Sequence, residues 1–145
     1  MIIVSACLAG IKCRWDGEAR PCQRVIDLVK EGKAIPVCPE QLGGLTTPRI
    51  PSEQKGKNCF TKDGKDVTLQ FERGAQEALK IALLTKCDKA IFKSKSPSCG
   101  IGKVYDGTFS NHLITGEGIT AKLFKQNGIK ILTEEEINNI TFFED

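Results

Sequence analysis

A chain of 145 residues has the length of one globular domain and can bury a proper hydrophobic core. Its 40% hydrophobic and 27% charged content is ordinary for a soluble protein, and no apolar run approaches the roughly 20 residues that a membrane span needs. The net charge of +3 is spread along the chain without an Arg-rich block or aromatic interleaving, which argues against a nucleic-acid surface and against a stable nucleic-acid complex.

The start Met1-Ile2-Ile3-Val4-Ser5-Ala6 lacks the charged n-region of a secretory signal, and its apolar stretch is too short for an h-region, so a cytoplasmic location is expected. There, seven cysteines in an odd count are more readily ligands or reactive thiols than disulfides.

In chain order, the apolar run from Ile2 to Ala6 predicts a buried strand, closed by Cys7 and a Gly-containing loop. A helix follows, with Pro21 in its first turn, Cys22, Val25, Ile26 and Val29 on one face, and Gly32 just past its end. Ala34 to Val37 form the second strand, ended by Cys38-Pro39. Residues 39–66 are rich in Gly, Pro, Lys and Thr and carry little periodicity, so they are read as a long functional loop. Phe71, Ala75, Ala78, Leu79, Ala82 and Leu83 then trace a helical face, and Lys89-Ala90-Ile91-Phe92 supply a third strand. A second loop runs from Ser94 to Gly118. Ile119 and Leu123 lie on a helix closed by Asn127-Gly128, and Ile129 to Leu132 form a fourth strand. Thr133 with Glu136 is a capping box for a last short helix burying Ile137 and Ile140.

Strands alternating with helices at this spacing predict an α/β fold in a single domain over residues 1–145. It would be Rossmann-like and three-layered, with a parallel sheet of about four strands flanked by helices. Long cysteine-bearing loops then lie at the carboxyl edge of the sheet, where such folds bind ligands. Cys7 and Cys38 directly follow the first two strands, and Cys99 lies in the loop after the third, so parallel strands carry all three to the same edge. Cys87 precedes the third strand and falls at the opposite edge, as a small buried hydrophobe. Cys22 is read as core, Cys59 is unassigned, and Cys13, in the first loop, is the reserve ligand.

Thiolates select zinc or iron–sulfur clusters, and a structural zinc site would show paired C-x-x-C knuckles, which this chain lacks. The one histidine, His112, reads as a polar loop residue. Three cysteines on a cluster would leave one iron open to an outside ligand. Neither Ser98-Cys99-Gly100-Ile101-Gly102-Lys103 nor Gly43-Gly44 has the spacing of a phosphate or dinucleotide loop.

The runs Ser5-Ala6-Cys7-Leu8-Ala9-Gly10, Cys13-Arg14-Trp15-Asp16-Gly17, Cys38-Pro39-Glu40-Gln41-Leu42-Gly43-Gly44-Leu45, Thr47-Pro48-Arg49-Ile50-Pro51-Ser52-Glu53, Lys93-Ser94-Lys95-Ser96-Pro97-Ser98-Cys99-Gly100 and Tyr105-Asp106-Gly107-Thr108-Phe109 resemble the small bacterial proteins of the thiouracil desulfurase family. The likeness spans nearly the whole chain. It implies a 4Fe-4S cluster on Cys7, Cys38 and Cys99, and non-redox removal of sulfur from a small thiolated pyrimidine, giving the oxo base. It also places Glu40 and a serine of the Ser96-Pro97-Ser98 turn, preferentially Ser98, near the open iron. Glu40 would deprotonate the attacking water or pair with Arg49. Asp16, Arg49 and Ser96 would hold the polar edges of the substrate or tie loops together. Trp15 stands where tyrosine is usual in the first motif, so ring stacking persists while a hydroxyl contact is lost. The competing readings are a non-enzymatic zinc-binding or sulfur-carrier module and a thiol oxidoreductase; the absence of C-x-x-C weakens the latter.

Overall fold

The computed structural model describes residues 1–137. Strand β1 (Ile2–Ser5) leads into a 3-10 turn (Ala6–Ala9) and, after a loop, into α1 (Gln23–Lys30). Then come β2 (Ala34–Val37), a short helix α2 (Pro39–Leu42), a hairpin of β3 (Ser52–Lys55) and β4 (Asn58–Thr61), and the long helix α3 (Thr68–Leu84). After β5 (Lys89–Phe92) the chain makes a second hairpin, β6 (Lys103–Tyr105) and β7 (Leu113–Thr115), and ends in α4 (Ile119–Gln126) and β8 (Lys130–Thr133).

The main sheet has the order β2-β1-β5-β8, with every pair parallel. Its strands are short and apolar because both faces are covered. Alternation along β1 sends Ile3 to a core shared with Ala78 and Ala82 of α3 and Ala121 and Phe124 of α4, while Ile2 and Val4 turn to the face closed by Val25 of α1. The rings of Phe92 and Phe124 meet at 5.1 Å between centroids. Both are fully buried, a burial that contributes about 1.5–3 kcal/mol per ring. The chain lays β2 on one side of β1 and returns to place β5 on the other, so the strand order reverses between β1 and β5, the position where ligand crevices form.

The four-stranded parallel sheet, its flanking helices and the bounds of β2 and β5 agree with the sequence reading. The structure corrects it elsewhere. Pro21 lies outside α1, whose N-cap is Cys22. Residues 39–66 are no featureless loop, since they hold α2 and the first hairpin, and the Ser94 to Gly118 segment holds the second. These two-stranded pieces have few apolar residues, so no hydrophobic period announces them. Leu83 is 59% exposed, because the buried line of α3 runs through Phe71, Ala75, Ala78 and Ala82 and leaves Leu83 to one side of it. The Glu136 carboxylate does reach back to the Thr133 N–H at 3.1 Å, and Ile137 is buried, but the rest of the last helix, including Ile140, lies outside the described residues.

Helix α2 sits against α3 at glycine–glycine distance. A Cβ on Gly74 would fall 1.8 Å from the carbonyl oxygen of Pro39, and one on Gly43 1.9 Å from that of Gln70. Gly74→Ala should gain about 1 kcal/mol of helix propensity but lose about 3 kcal/mol to a backbone clash that no rotamer relieves. The expected outcome is a net loss of about 2 kcal/mol in urea unfolding, with α2 pushed away from the site it carries.

Candidate metal centre

The register of the sheet brings the three strand-following cysteines together. Ser5 of β1 pairs with Val37 of β2, so Cys38 lies one step beyond the pair and Cys7 two, at the same edge. Cys7 is buried in the 3-10 turn, and Cys38 is the N-cap of α2. Cys99 is buried in the turn after β5, whose shape is set by Ser96: its Oγ accepts the N–H groups of Ser98 (3.1 Å) and Cys99 (3.0 Å). The turn is clamped from two sides. The Ser98 carbonyl accepts the N–H groups of Thr120 (2.8 Å) and Ala121 (3.1 Å) at the start of α4, and Gln54 Nε2 donates to the carbonyls of Pro97 and Glu117 at 2.8 and 2.9 Å.

The thiols feel one another's charge. Burial pushes Cys7 up to about 11, with Cys38 adding to the rise and the Arg14 and Lys93 cations pulling the other way. Burial also raises Cys99, with further contributions from Cys7, Glu40 and Cys38, against a hydrogen bond from Ser5. Cys38 stands apart. Its side chain is hydrogen-bonded to that of Cys13, which brings it down to about 7 against the cost of burial, with help from the Gln41 amide and Arg49. Cys13 is raised by the same bond and by burial. A buried group of thiols in this state ionises together only if a cation neutralises it.

Glu40, on α2, has its side chain 18% exposed. Burial raises its carboxyl above the usual range, opposed by the guanidinium of Arg49, whose Nη2 and Nε both lie 3.4 Å from Oε1. Arg49 is itself 8% exposed and donates to the Thr46 carbonyl and the Thr47 hydroxyl, while its N–H bonds the Trp15 carbonyl at 2.8 Å. Trp15 is 44% exposed. Asp16 ties its own loop, accepting from Arg14 (3.3 Å) and from the Glu18 N–H (3.0 Å) with Arg20 at 3.7 Å. Desolvation works against its ionisation, but those partners outweigh it and hold the carboxyl below the usual range. Ser98 is buried with its hydroxyl 2.7 Å from that of Thr120.

The remaining cysteines lie elsewhere. Cys87 is buried before β5 with its sulfur 3.1 Å from the Thr85 hydroxyl, and Cys59 is fully buried against Val67 and Phe71. Cys22 is half-buried against the α1 core, and His112 is exposed in the second hairpin loop. Several site residues were missed from the sequence. Ser5 accepts the Lys93 N–H at 2.9 Å and bonds Cys99, while Arg14 and Lys93 act on Cys7, and Gln54 and Thr120 hold the Cys99 turn. A serine ending an otherwise apolar strand is the one signal that could have drawn attention to Ser5.

Among the described residues no three His, Cys, Asp or Glu side chains meet closely enough to hold a single metal ion. A polynuclear iron–sulfur cluster makes a different demand, because each of its irons takes its own thiolate. An all-thiol donor set carried by three separate loops at one sheet edge, with cations around it, fits such a group.

A structure of a [4Fe-4S]-dependent thiouracil desulfidase, TudS, superposes with a TM-score of 0.92 at 40% identity, covering 97% of this chain and 95% of that one. An uncharacterised protein of Bacillus subtilis (strain 168), YbbK, is 43% identical over 150 residues, covering 97% of this chain and 99% of its own length. The 2-thiouracil desulfurase family matches residues 2–136. With its cysteines arranged in this way on a fold shared over almost the full length, the chain belongs to the 2-thiouracil desulfurase family.

Proposed function

We propose that this chain removes sulfur from a thiolated pyrimidine of the 2-thiouracil type, without net oxidation or reduction, using a [4Fe-4S] cluster held by Cys7, Cys38 and Cys99. The carbon–sulfur double bond is exchanged for a carbon–oxygen one at the expense of water, and sulfide leaves, so no external electron donor is needed. The observation that carries the reading is the convergence of three thiols, Cys7 and Cys99 buried and Cys38 half-buried, at the point where the strand order reverses. A structural relative described as a [4Fe-4S]-dependent thiouracil desulfidase supports it.

Held by Cys7, Cys38 and Cys99, a [4Fe-4S] cluster would supply an open, thiophilic Lewis-acid position suited to a soft thiocarbonyl sulfur. The chain's own residues supply the proton chemistry. Glu40 takes a proton from water at its carboxylate, and Arg49 fixes that carboxylate in place, which makes Arg49 a positioning residue. Ser96 and Ser98 hold the Cys99 turn at a constant height against α4, with the Ser98 hydroxyl as the second candidate polar group beside the reacting centre. Asp16 keeps the Cys13 to Glu18 loop closed, and the half-exposed Trp15 offers a ring face for stacking on the base.

No helix among the described residues is long and apolar enough to cross a membrane. Residues 1–145 act as one domain on a small molecule, without a nucleic-acid partner, in a compartment such as the cytoplasm where thiols stay reduced.

Anaerobic reconstitution with iron and sulfide, followed by incubation with 2- and 4-thiouracil, should release sulfide and the oxo base from at least one of them. Fully loaded protein that is inert toward every thiolated pyrimidine would overturn the desulfurase reading and leave the metal site standing. Cys7→Ala, Cys38→Ala or Cys99→Ala should each lose most bound iron, whereas Cys22→Ala and Cys87→Ala load like the parent protein. Glu40→Gln keeps the Arg49 contact and the cluster's absorption but should turn over about 10²–10⁴-fold more slowly.

A further inference from the structure

We propose that Gln54 is a positioning residue: its side-chain amide ties the Cys99 turn to the segment that carries Arg49, and so fixes the third ligand relative to the Glu40–Arg49 pair. The inference rests on the reading of Cys7, Cys38 and Cys99 as cluster ligands and of Glu40 as the base.

The bonds inside the Cys99 turn set its shape but not its place. Ser96 accepts the N–H groups of Ser98 and Cys99 at its hydroxyl, and that of Gly100 at its carbonyl, 2.8 Å away. Placement comes from outside the turn. The start of α4 lies along it, with the Ile119 N–H on the Pro97 carbonyl at 3.0 Å and the Gly118 N–H on the Gly100 carbonyl at 2.7 Å. Gln54 of β3 adds the second hold. Its Nε2 donates to the carbonyls of Pro97 (2.8 Å) and Glu117 (2.9 Å), 43 and 63 positions away. The first of these belongs to the turn and the second to the residue before the N-cap of α4, so one amide clasps both. Only the nitrogen can face two carbonyl oxygens, because Nε2 carries two hydrogens and Oε1 none.

Gln54 is itself firmly seated. It pairs with the fully buried Cys59 in the register of the first hairpin. Its neighbour Glu53 projects to the other face of the strand, where the carboxylate accepts the N–H groups of Gly107 (3.0 Å) and Phe109 (3.1 Å). At the far end of the same segment Arg49 holds Glu40, with Nη2 3.4 Å from Oε1. Segment 49–54 therefore grips the proposed base at one end and the ligand turn at the other, as a strut that can span at most about 17 Å. A groove of about 700 Å³ opens beside the amide, between α3, α4 and the two hairpins, with Gln54, Glu117 and Ile119 among its walls. Open space there leaves the hydrogen bonds, more than packing, to hold the turn at that end.

Without the two donors, a pair of part-buried carbonyls loses its partners and the turn is free to shift. A displacement of about 1 Å between a base and the reacting centre can cost about 100-fold in rate.

The test uses the anaerobically reconstituted full chain as parent, as Gln54→Met, which keeps the length but has no donor, and as Gln54→Lys, whose ammonium restores donors. Iron and acid-labile sulfide are counted per chain, iron release to a ferrous chelator is timed, and kcat and KM are measured on the thiopyrimidine that the parent turns over. Gln54→Met should load like the parent, release iron about tenfold faster, and lose about tenfold in kcat with KM unchanged. Gln54→Lys should recover most of both losses. A loaded Gln54→Met that keeps either the parent's release rate or its kcat overturns the proposal. So does a Gln54→Lys as impaired as Gln54→Met, since side-chain shape and not the donors would then matter. If Gln54→Met does not load, Gln54→Lys decides: release and kcat near the parent's support the proposal, and values far from them defeat it. A parent that assembles no cluster removes the cluster reading first, and this one with it. A loaded parent inert toward every thiopyrimidine removes the desulfurase reading and leaves the iron-release comparison to decide.

Discussion

Buried thiols cannot become thiolates side by side without a cation to receive them. At the carboxyl edge of this sheet that constraint acts on Cys7, Cys38 and Cys99 together: burial and the neighbouring sulfurs raise Cys7 and Cys99, and only Cys38 has local help that outweighs the desolvation. Arg14, Lys93 and Arg49 supply positive charge from three directions, but each already serves a carboxylate, Asp16, Glu134 or Glu40. What remains is a soft, electron-rich donor set that an iron–sulfur core can neutralise.

The fold's task is to hold that set still. The short parallel strands have little surface of their own to fix a loop, so the loops at the edge brace one another. Ser5 bridges β1 to the backbone after β5 and to Cys99, Gln54 reaches from the first hairpin to the Cys99 turn, and the Glu53 carboxylate grips the N–H groups of Gly107 and Phe109 in the second hairpin loop. Gly118 lets α4 press on the same turn, where a Cβ would lie 2.4 Å from the Ser98 carbonyl oxygen. The two hairpins, which contribute nothing to the central sheet, are in this sense the outer wall of the site.

Glu40, the proposed base, is held by Arg49 between two opposing influences. Burial alone would neutralise the carboxyl; an unopposed cation would pin it as a weak base. The guanidinium stands 3.4 Å away and spends its other donors on Thr46 and Thr47, so the opposition is partial and the carboxyl remains raised. The glycine contact between α2 and α3 fixes the short helix that carries Glu40 directly after Cys38.

Short-range chemistry was legible in the chain. Short apolar runs marked β1, β2 and β5, the first two closed by Cys7 and Cys38, Gly32 marked the end of α1, and parallel topology by itself sent Cys7, Cys38 and Cys99 to one edge. The hairpins were not legible, because half-polar strands of three or four residues carry no period strong enough to read. Nor were the partners of the site residues. Asp16 and Ser96 bond within their own loops, but the Ser98 hydroxyl meets Thr120 22 positions on and Gln54 reaches Pro97 and Glu117 43 and 63 positions away, and no local pattern encodes such a distance. The sequence by itself determined the α/β class and which side chains could serve as ligands or bases. Only the tertiary structure decided which thiol touches which, since hydrogen bonding and desolvation depend on position in space.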